Sequence, residues 1–475
     1  MHKLHHTLTI TGHLVSRPHN AFAIIAGLFG ITMAIIMPPL LVPDEASHFY
    51  RAFQISEGHL YSDNLDGKTG GWLPREVSFV GGTQPSPPDY KFKPSTIDDG
   101  FSKRINYDDR VFSAFNNTAV YSPVSYIPQT FAILIGKLFH ASPLAMLYIG
   151  RLFNLAAFIA LTYFAIRLLP FGKWALAVIA LLPMMIQQAA SQSSDVMVIT
   201  LGFISVSLFL HTLFGGKKLT KTRWFVVLLL ATLLGLTKQT NALLIIPFLF
   251  LPARLFSNSK KRLLFVLSVC FAALLSTLIW YMAVKSQHYD MDFAYINTGK
   301  ADQAAQLNFV LEHPLTYLHT LLRTLVYSNI PGFPTTDFYW MSLYGYFSWF
   351  TYKMPTINMI LGYANLFFAL LVIPSAAALA RLTKGIRIAF WLTLIGSVLG
   401  IVTVLYLVGN LVGVPVVRNI QGRYFLVLLP LLIPILANKH FGVAIDKQRT
   451  AGLIFMGVSV VNLTVMAGLT LTFFY

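Results

Sequence analysis

Ala21-Phe-Ala-Ile-Ile-Ala-Gly-Leu-Phe-Gly-Ile-Thr-Met-Ala-Ile-Ile-Met-Pro-Pro-Leu-Leu-Val42 runs directly into Pro43-Asp44-Glu45-Ala-Ser-His48-Phe-Tyr-Arg51. An apolar stretch of about twenty residues is long enough to cross a bilayer. Two carboxylates, a histidine and an arginine at its mouth put titratable groups where lipid meets water. Pro43 suits the start of a new helix, on which Asp44, His48 and Arg51 are expected to share one face at i, i+4 and i+7. An acid and a base at a membrane surface point to chemistry on a lipid-linked substrate.

The rest of the chain fits this opening. Of 475 residues, 56% are hydrophobic and 11% charged, whereas soluble domains carry roughly 25% charged residues. Mean hydropathy is +0.64. The sequence reads as an all-α polytopic membrane protein and a single integral membrane domain over 1–475. Cys270 is the single cysteine and excludes an intrachain disulfide. With no small-residue cleavage site after it, the first span reads as an uncleaved anchor.

A net charge of +17 invites a nucleic-acid reading, but its distribution argues otherwise. Spans are expected near 21–42, 144–166, 174–190, 195–214, 224–238, 241–253, 263–283, 356–380, 388–409, 424–437 and 451–473, about 11 with a range of 9–13. With a cytoplasmic N-terminus, the inner loops collect Arg167, Lys173, Lys217, Lys218, Arg254, Lys260, Arg381, Lys384 and their neighbours, with Asp446 as their single acid. The outer side is then charge-balanced. That is the positive-inside pattern, and it excludes nucleic acid as the partner. The same parity lays Tyr121–His140 along the outer surface as an interfacial helix and keeps Leu315–Ile330 from crossing.

Three segments then face outward. The first, 43–143, carries interfacial helices around a stretch in which Pro74, Gly81, Pro85, Pro87 and Pro94 oppose long regular elements. The second, 284–355, is aromatic-rich. The third, 410–423, is short and basic. Candidate chemistry gathers on this side, so the expected site of this membrane protein is extracytoplasmic.

Asp44 or Glu45 can act as a general base, or simply place charge at a helix N-terminus; His48 reads as an orienting partner. Lys238, near a turn between two spans, can hold a phosphate or snorkel to the interface. Arg418 and Arg423 carry forks that match phosphate oxygens. Asp195, within the polar turn that includes Gln188, can hold substrate hydroxyls or cap a helix. Arg151 and Arg323 are further candidates. Asp290-Met-Asp292 has the spacing of some metal-dependent sugar transferases, a weak pointer to a divalent metal; no metal ligand set or cofactor is firmly implied.

Several motifs resemble domain-of-unknown-function family 2142, usually placed in the GT-C superfamily of membrane glycosyltransferases. They are Pro43-Asp44-Glu45-x-x-His48-Phe49, Tyr121-Ser-Pro123 with Tyr126-x-Pro128-Gln129, and Leu182-Pro183 with Gln188-x-x-Ser191-x-Ser193-x-Asp195. Lys238, Tyr344-Gly345-Tyr346 and Gln421-Gly422-Arg423-Tyr424-Phe425 complete the set. The resemblance covers about residues 20–437. It departs at Tyr344-Gly-Tyr-Phe347-Ser-Trp349, where a leucine-glycine-tryptophan pattern is expected. It implies a GT-C-like bundle, a polyprenyl-phosphate sugar as donor and a cell-envelope glycan or lipid-linked acceptor. By the same resemblance Asp44 is the base, and Lys238 and Arg423 contact the donor phosphate. Gln421 and Tyr344 join Asp195 and Gln188 as substrate-binding candidates. A flippase or transporter of lipid-linked saccharides, or a non-catalytic accessory subunit of an envelope-polysaccharide complex, are the alternatives. The sequence leaves the oligomeric state open.

Overall fold

The computed structural model describes residues 16–78, 80, 91–92, 95–286, 302–327, 337–372, 379, 381–437 and 445–475. Among them, six helices are long and apolar enough to cross a membrane. The first is α1 (Pro18–Ile36). It is followed by α2 (Glu45–Ser56), which opens the long outer segment.

That segment corrects the all-α expectation. It contains an antiparallel sheet in the order β1 (Asp63–Leu65), β2 (Lys68–Pro74) and β3 (Arg110–Ala114). Pro74 closes β2 rather than interrupting it, and Gly70 lies so close to Ser113 that a Cβ there would meet its carbonyl oxygen at 2.0 Å. Gly70 thus lets two strands approach, while Gly81, Pro85 and Pro87 lie outside the described residues. Phe49, Phe53, Leu73, Phe115 and Leu147 form a separate apolar core beneath the sheet; each buried side chain of this size contributes about 1.5–3 kcal/mol.

The segment Tyr121–His140, expected to be interfacial, packs on the bundle. The helix there is α3 (Ile127–Leu138), about 18 Å long and too short to cross. It packs antiparallel to the first turns of α4 (Pro143–Leu168). Gln129 donates to Asn154 at 3.0 Å, Phe131 meets Phe153, and Gly136 faces Met146. It stands antiparallel beside a helix long and apolar enough to span.

The expected spans are less regular than their hydropathy suggests. Pro183 divides 174–190 into α5 (Lys173–Ala180) and α6 (Pro183–Ala189). After α7 (Asp195–Phe214) and α8 (Lys221–Thr237), the expected span 241–253 is a 3-10 helix, Gln239–Ile245, with one further α-turn. The expected span 424–437 is likewise a 3-10 helix, Gly422–Leu431, ending in five α-helical residues. Such backbone is tolerated at membrane depth only where protein surrounds it; Leu244, Ile245, Leu426 and Leu431 are all buried.

The longer helices that follow are α9 (Ser259–Ser286), α10 (Gln303–Glu312), α11 (Pro314–Val326), α12 (Asp337–Tyr344), α13 (Thr356–Leu371), α14 (Lys384–Gly409) and α15 (Ile445–Phe474). A two-stranded hairpin, Tyr346–Phe347 with Tyr352–Lys353, precedes α13.

Contacts sort the helix ends into two groups. At one, Leu219 donates to Leu255 at 2.7 Å and Arg381 donates to the Phe214 carbonyl. This end gathers the lysines and arginines of 167–173, 217–223, 254–262 and 381–387. At the other, Ser348 donates to Leu41, Trp280 donates to Val120 at 2.8 Å, and Lys91 donates to Thr472.

Candidate functional site

Four charged side chains from four separated segments meet at the end opposite the basic loops. Asp44 and Arg423 form an ion pair at 2.5 Å, and Asp195 and Lys238 form a second at 2.6 Å. Tyrosines link the two. Lys238 Nζ stands 5.1 Å from the Tyr121 ring centroid and 5.8 Å from that of Tyr424. The Arg423 guanidinium lies 5.6 Å from the same Tyr424 ring. Cations and aromatic faces thus alternate through the centre, an arrangement that stabilises a desolvated cation.

Local backbone explains how each group arrives. Asp44 has φ = +65° and precedes α2 as its N-cap. Of the expected common face, Asp44 and His48 stay close enough to interact electrostatically, whereas Arg51 turns to other partners. Asp44 Oδ1 accepts from Asn117 at 2.9 Å while Oδ2 faces Arg423. Arg51 is fully buried and braces the turn after α2 instead, donating to Gln54 and the Leu60 carbonyl. Asp195 opens α7. Lys238 sits at the break between α8 and the 3-10 helix, where Asn241 N–H closes the turn on its carbonyl. Arg423 is held by Gln421, whose Oε1 accepts from Nε at 2.6 Å.

His48 lies behind this centre. Its Nδ1 shares a 2.9 Å hydrogen bond with the Tyr126 hydroxyl. Burial pushes the imidazole down to about 4, against the opposing pull of Asp44 and Asp195. Burial likewise raises the Tyr126 hydroxyl well above the ordinary tyrosine range. Both groups are neutral at pH 7, so the pair is a fixed polar wall rather than a charge.

Glu45 occupies a different setting from its neighbour. Its carboxylate is 1% exposed and grips Arg151 by a two-point fork, at 2.8 and 2.6 Å. Arg151 also donates to the carbonyls of Ala34, Met37 and Pro38, the unpaired end of α1. Gln192 N–H completes the Glu45 shell at 3.1 Å. In the arrangement seen, this pair ties α1, α4 and the 191–195 turn together, with no surface left for a substrate.

Other expected site residues lie apart from the four. Gln188 is fully buried, with its amide against Met184. Tyr344 is buried with its hydroxyl directed at Gly362. Arg418 donates its backbone N–H to Asn410 on the loop leading to Arg423. Arg323 stacks on Tyr327. Asp290 and Asp292 lie outside the described residues, and no cluster of three potential metal ligands occurs among those described.

Asn117, which donates to Asp44, and Trp280, which donates to the carbonyl of Val120 next to Tyr121, border this centre, and sequence reasoning missed both. Asn117 looks like any loop asparagine, and a tryptophan near the end of an apolar helix reads as an interface anchor. Backbone strain, in contrast, marks this region independently. Leu40, Asp44, Ser348 and Asn419 all have φ between 55° and 65°, and unusual backbone of this kind concentrates at functional sites.

Bundle and site together define a polytopic helical membrane protein with a charged centre, built from distant segments at the end away from its basic loops. The chain belongs to the predicted membrane protein family DUF2142, whose family model matches residues 28–432. All four charged residues fall inside that match, and α15 falls outside it. No curated protein and no solved structure matches the chain.

Proposed function

We propose that this protein is an inverting GT-C-type glycosyltransferase that takes a sugar from a polyprenyl-phosphate donor on the extracytoplasmic side of the membrane. The observation that carries the reading is the pairing of two carboxylates with two cations at the end of the bundle away from the basic loops. From the basic end to the site, α7 has 20 residues and α8 has 17, so they rise about 30 and 26 Å, close to the hydrocarbon thickness. With eleven crossings, counting the broken and 3-10 segments, the basic loops become cytoplasmic and the site outward-facing.

Asp44 and Lys238 are the accessible members, with side chains 26% and 25% exposed against 3% for Arg423. In the proposed reaction the donor phosphate binds Lys238 and draws Arg423 from Asp44, freeing that carboxylate to accept a proton. The acceptor hydroxyl gives its proton to Asp44 as its oxygen bonds to the anomeric carbon. The anomeric carbon–oxygen bond breaks on the opposite side, and polyprenyl phosphate leaves with the electron pair. Charge developing on that phosphate is what fixed cations stabilise best. Asp195 holds Lys238 in place and meets sugar or acceptor hydroxyls; Glu45 is structural.

A flippase for lipid-linked saccharides is the second reading. Its support is the interrupted segment at Leu182-Pro183 and the two 3-10 stretches, since transporters use discontinuous helices. Purified protein incubated with a panel of polyprenyl-phosphate sugars and envelope-glycan acceptors separates the two. Release of polyprenyl phosphate with transfer of the sugar is expected; movement of intact donor across a bilayer without release establishes the flippase instead.

A further inference from the structure

The α10–α11 pair has a face that the proposed catalysis does not use. On α11, Leu315, Leu318, Leu322, Leu325 and Val326 are between 44% and 80% exposed, at the spacing of one helical face. Leu307 and Leu311 continue this apolar surface onto α10. The opposite face of α11 is engaged. Tyr317 shares a 2.5 Å hydrogen bond with Thr403 and stacks on Tyr406. Thr324 Oγ1 accepts from Val417 N–H, and Gln306 Oε1 accepts from Gly413 N–H.

These contacts fix the depth of the pair. Thr403 precedes the end of α14 at Gly409 by six residues, about 9 Å along the axis. Gly400, on the same stretch of α14, faces Thr240, two residues beyond Lys238. The leucine face therefore lies near the level of the charged centre, which the proposed topology puts at the edge of the hydrocarbon. At thirteen residues, α11 is about 20 Å long and cannot cross. Arg323 is exposed beside the leucines, the position from which a long cation reaches headgroup phosphates.

We propose that α10–α11 is a membrane-seated platform whose leucine face beds into the headgroup–acyl boundary of a phospholipid bilayer. Its polar face meanwhile holds the 410–417 loop that leads to Arg418 and Arg423. This assignment does not depend on the reaction catalysed. It separates α11, which rests in lipid, from α3, which stands against α4.

Nitroxide labels on single cysteines test it, in the full chain with Cys270→Ala, reconstituted in phosphatidylcholine–phosphatidylglycerol nanodiscs. Leu318→Cys, Leu322→Cys and Leu325→Cys report the face, Arg323→Cys its shoulder, and Leu392→Cys the bilayer interior. Each label is read by collision with oxygen and with a water-soluble nickel chelate. The three leucine positions are expected to favour oxygen at about 5–10 Å below the phosphates, shallower than position 392, with position 323 nearer water. Preferential collision with nickel at positions 318, 322 and 325 overturns the proposal. So does shielding from both reagents, which means cover by protein, and so does a depth equal to that of position 392, which means a crossing.

Discussion

Asp44 is held between Asn117 and Arg423 while its neighbour Glu45 is locked to Arg151, so adjacent carboxylates face opposite fates. Asp44→Asn keeps the shape and removes the proton acceptor. Sugar transfer at saturating donor is expected to fall by about 10²–10⁴, with expression and donor binding retained; activity within a few-fold of the parent removes Asp44 from the chemistry. Lys238→Ala is expected to weaken donor binding by about 10- to 100-fold, since a hydrogen bond to a charged group contributes roughly 1.5–3 kcal/mol. Titration with a short-chain polyprenyl phosphate checks this, and unchanged affinity leaves Lys238 as an interface anchor. Glu45→Gln, in contrast, is expected to cost about 3–5 kcal/mol of stability through an unpaired buried arginine. Chemical unfolding in detergent measures it, and a stable but inactive Glu45→Gln protein instead gives Glu45 a chemical role. The charged members were legible because charges stand out in an apolar chain. Which carboxylate pairs with which cation was not, since Glu45 and Arg151 meet only through folding.

Helices α8 and α9 are where element geometry controls the site. Gly235 sits one turn before Lys238, and a Cβ there would lie 2.2 Å from Ser276 Oγ and 2.6 Å from the Ala273 carbonyl. Ser122 also donates to the Leu236 carbonyl, so this turn joins α8, α9 and the Tyr121 loop. His48 on α2 supplies a pH signature. Its folded value of about 4 lies below the unfolded value of about 6.5, so the unfolded chain binds the proton first as pH falls. Stability contributed by the neutral imidazole is full above pH 6.5 and is lost progressively down to about 4. The melting temperature of the parent is expected to drop more steeply across that window than that of His48→Gln; parallel slopes contradict the burial. Long apolar helices such as α4, α7 and α14 could be read from hydropathy. The 3-10 segments could not, because buried apolar runs look alike whatever their hydrogen-bond period. The β-sheet was missed because its strands are short and lie next to the Pro-rich stretch that drew the reading, with Gly70 allowing a close strand approach.

At the scale of the whole molecule, the basic turns and the four-residue centre occupy opposite ends of one bundle. Among the described residues, the turns at 167–173, 217–223, 254–262 and 381–387 are basic, and the four-residue centre lies at the other end. Topology therefore decides function, and one experiment reads both. Protein with Cys270→Ala and a single cysteine at Asn64 or Lys218 is reconstituted in proteoliposomes, and an impermeant thiol reagent assigns its orientation. Donor is present in the bilayer, and an impermeant glycan acceptor is added outside. Sugar transfer with equimolar release of polyprenyl phosphate is predicted, in proportion to the fraction of molecules with position 64 outward. Transfer proportional to outward position 218, or donor movement without phosphate release, contradicts the account.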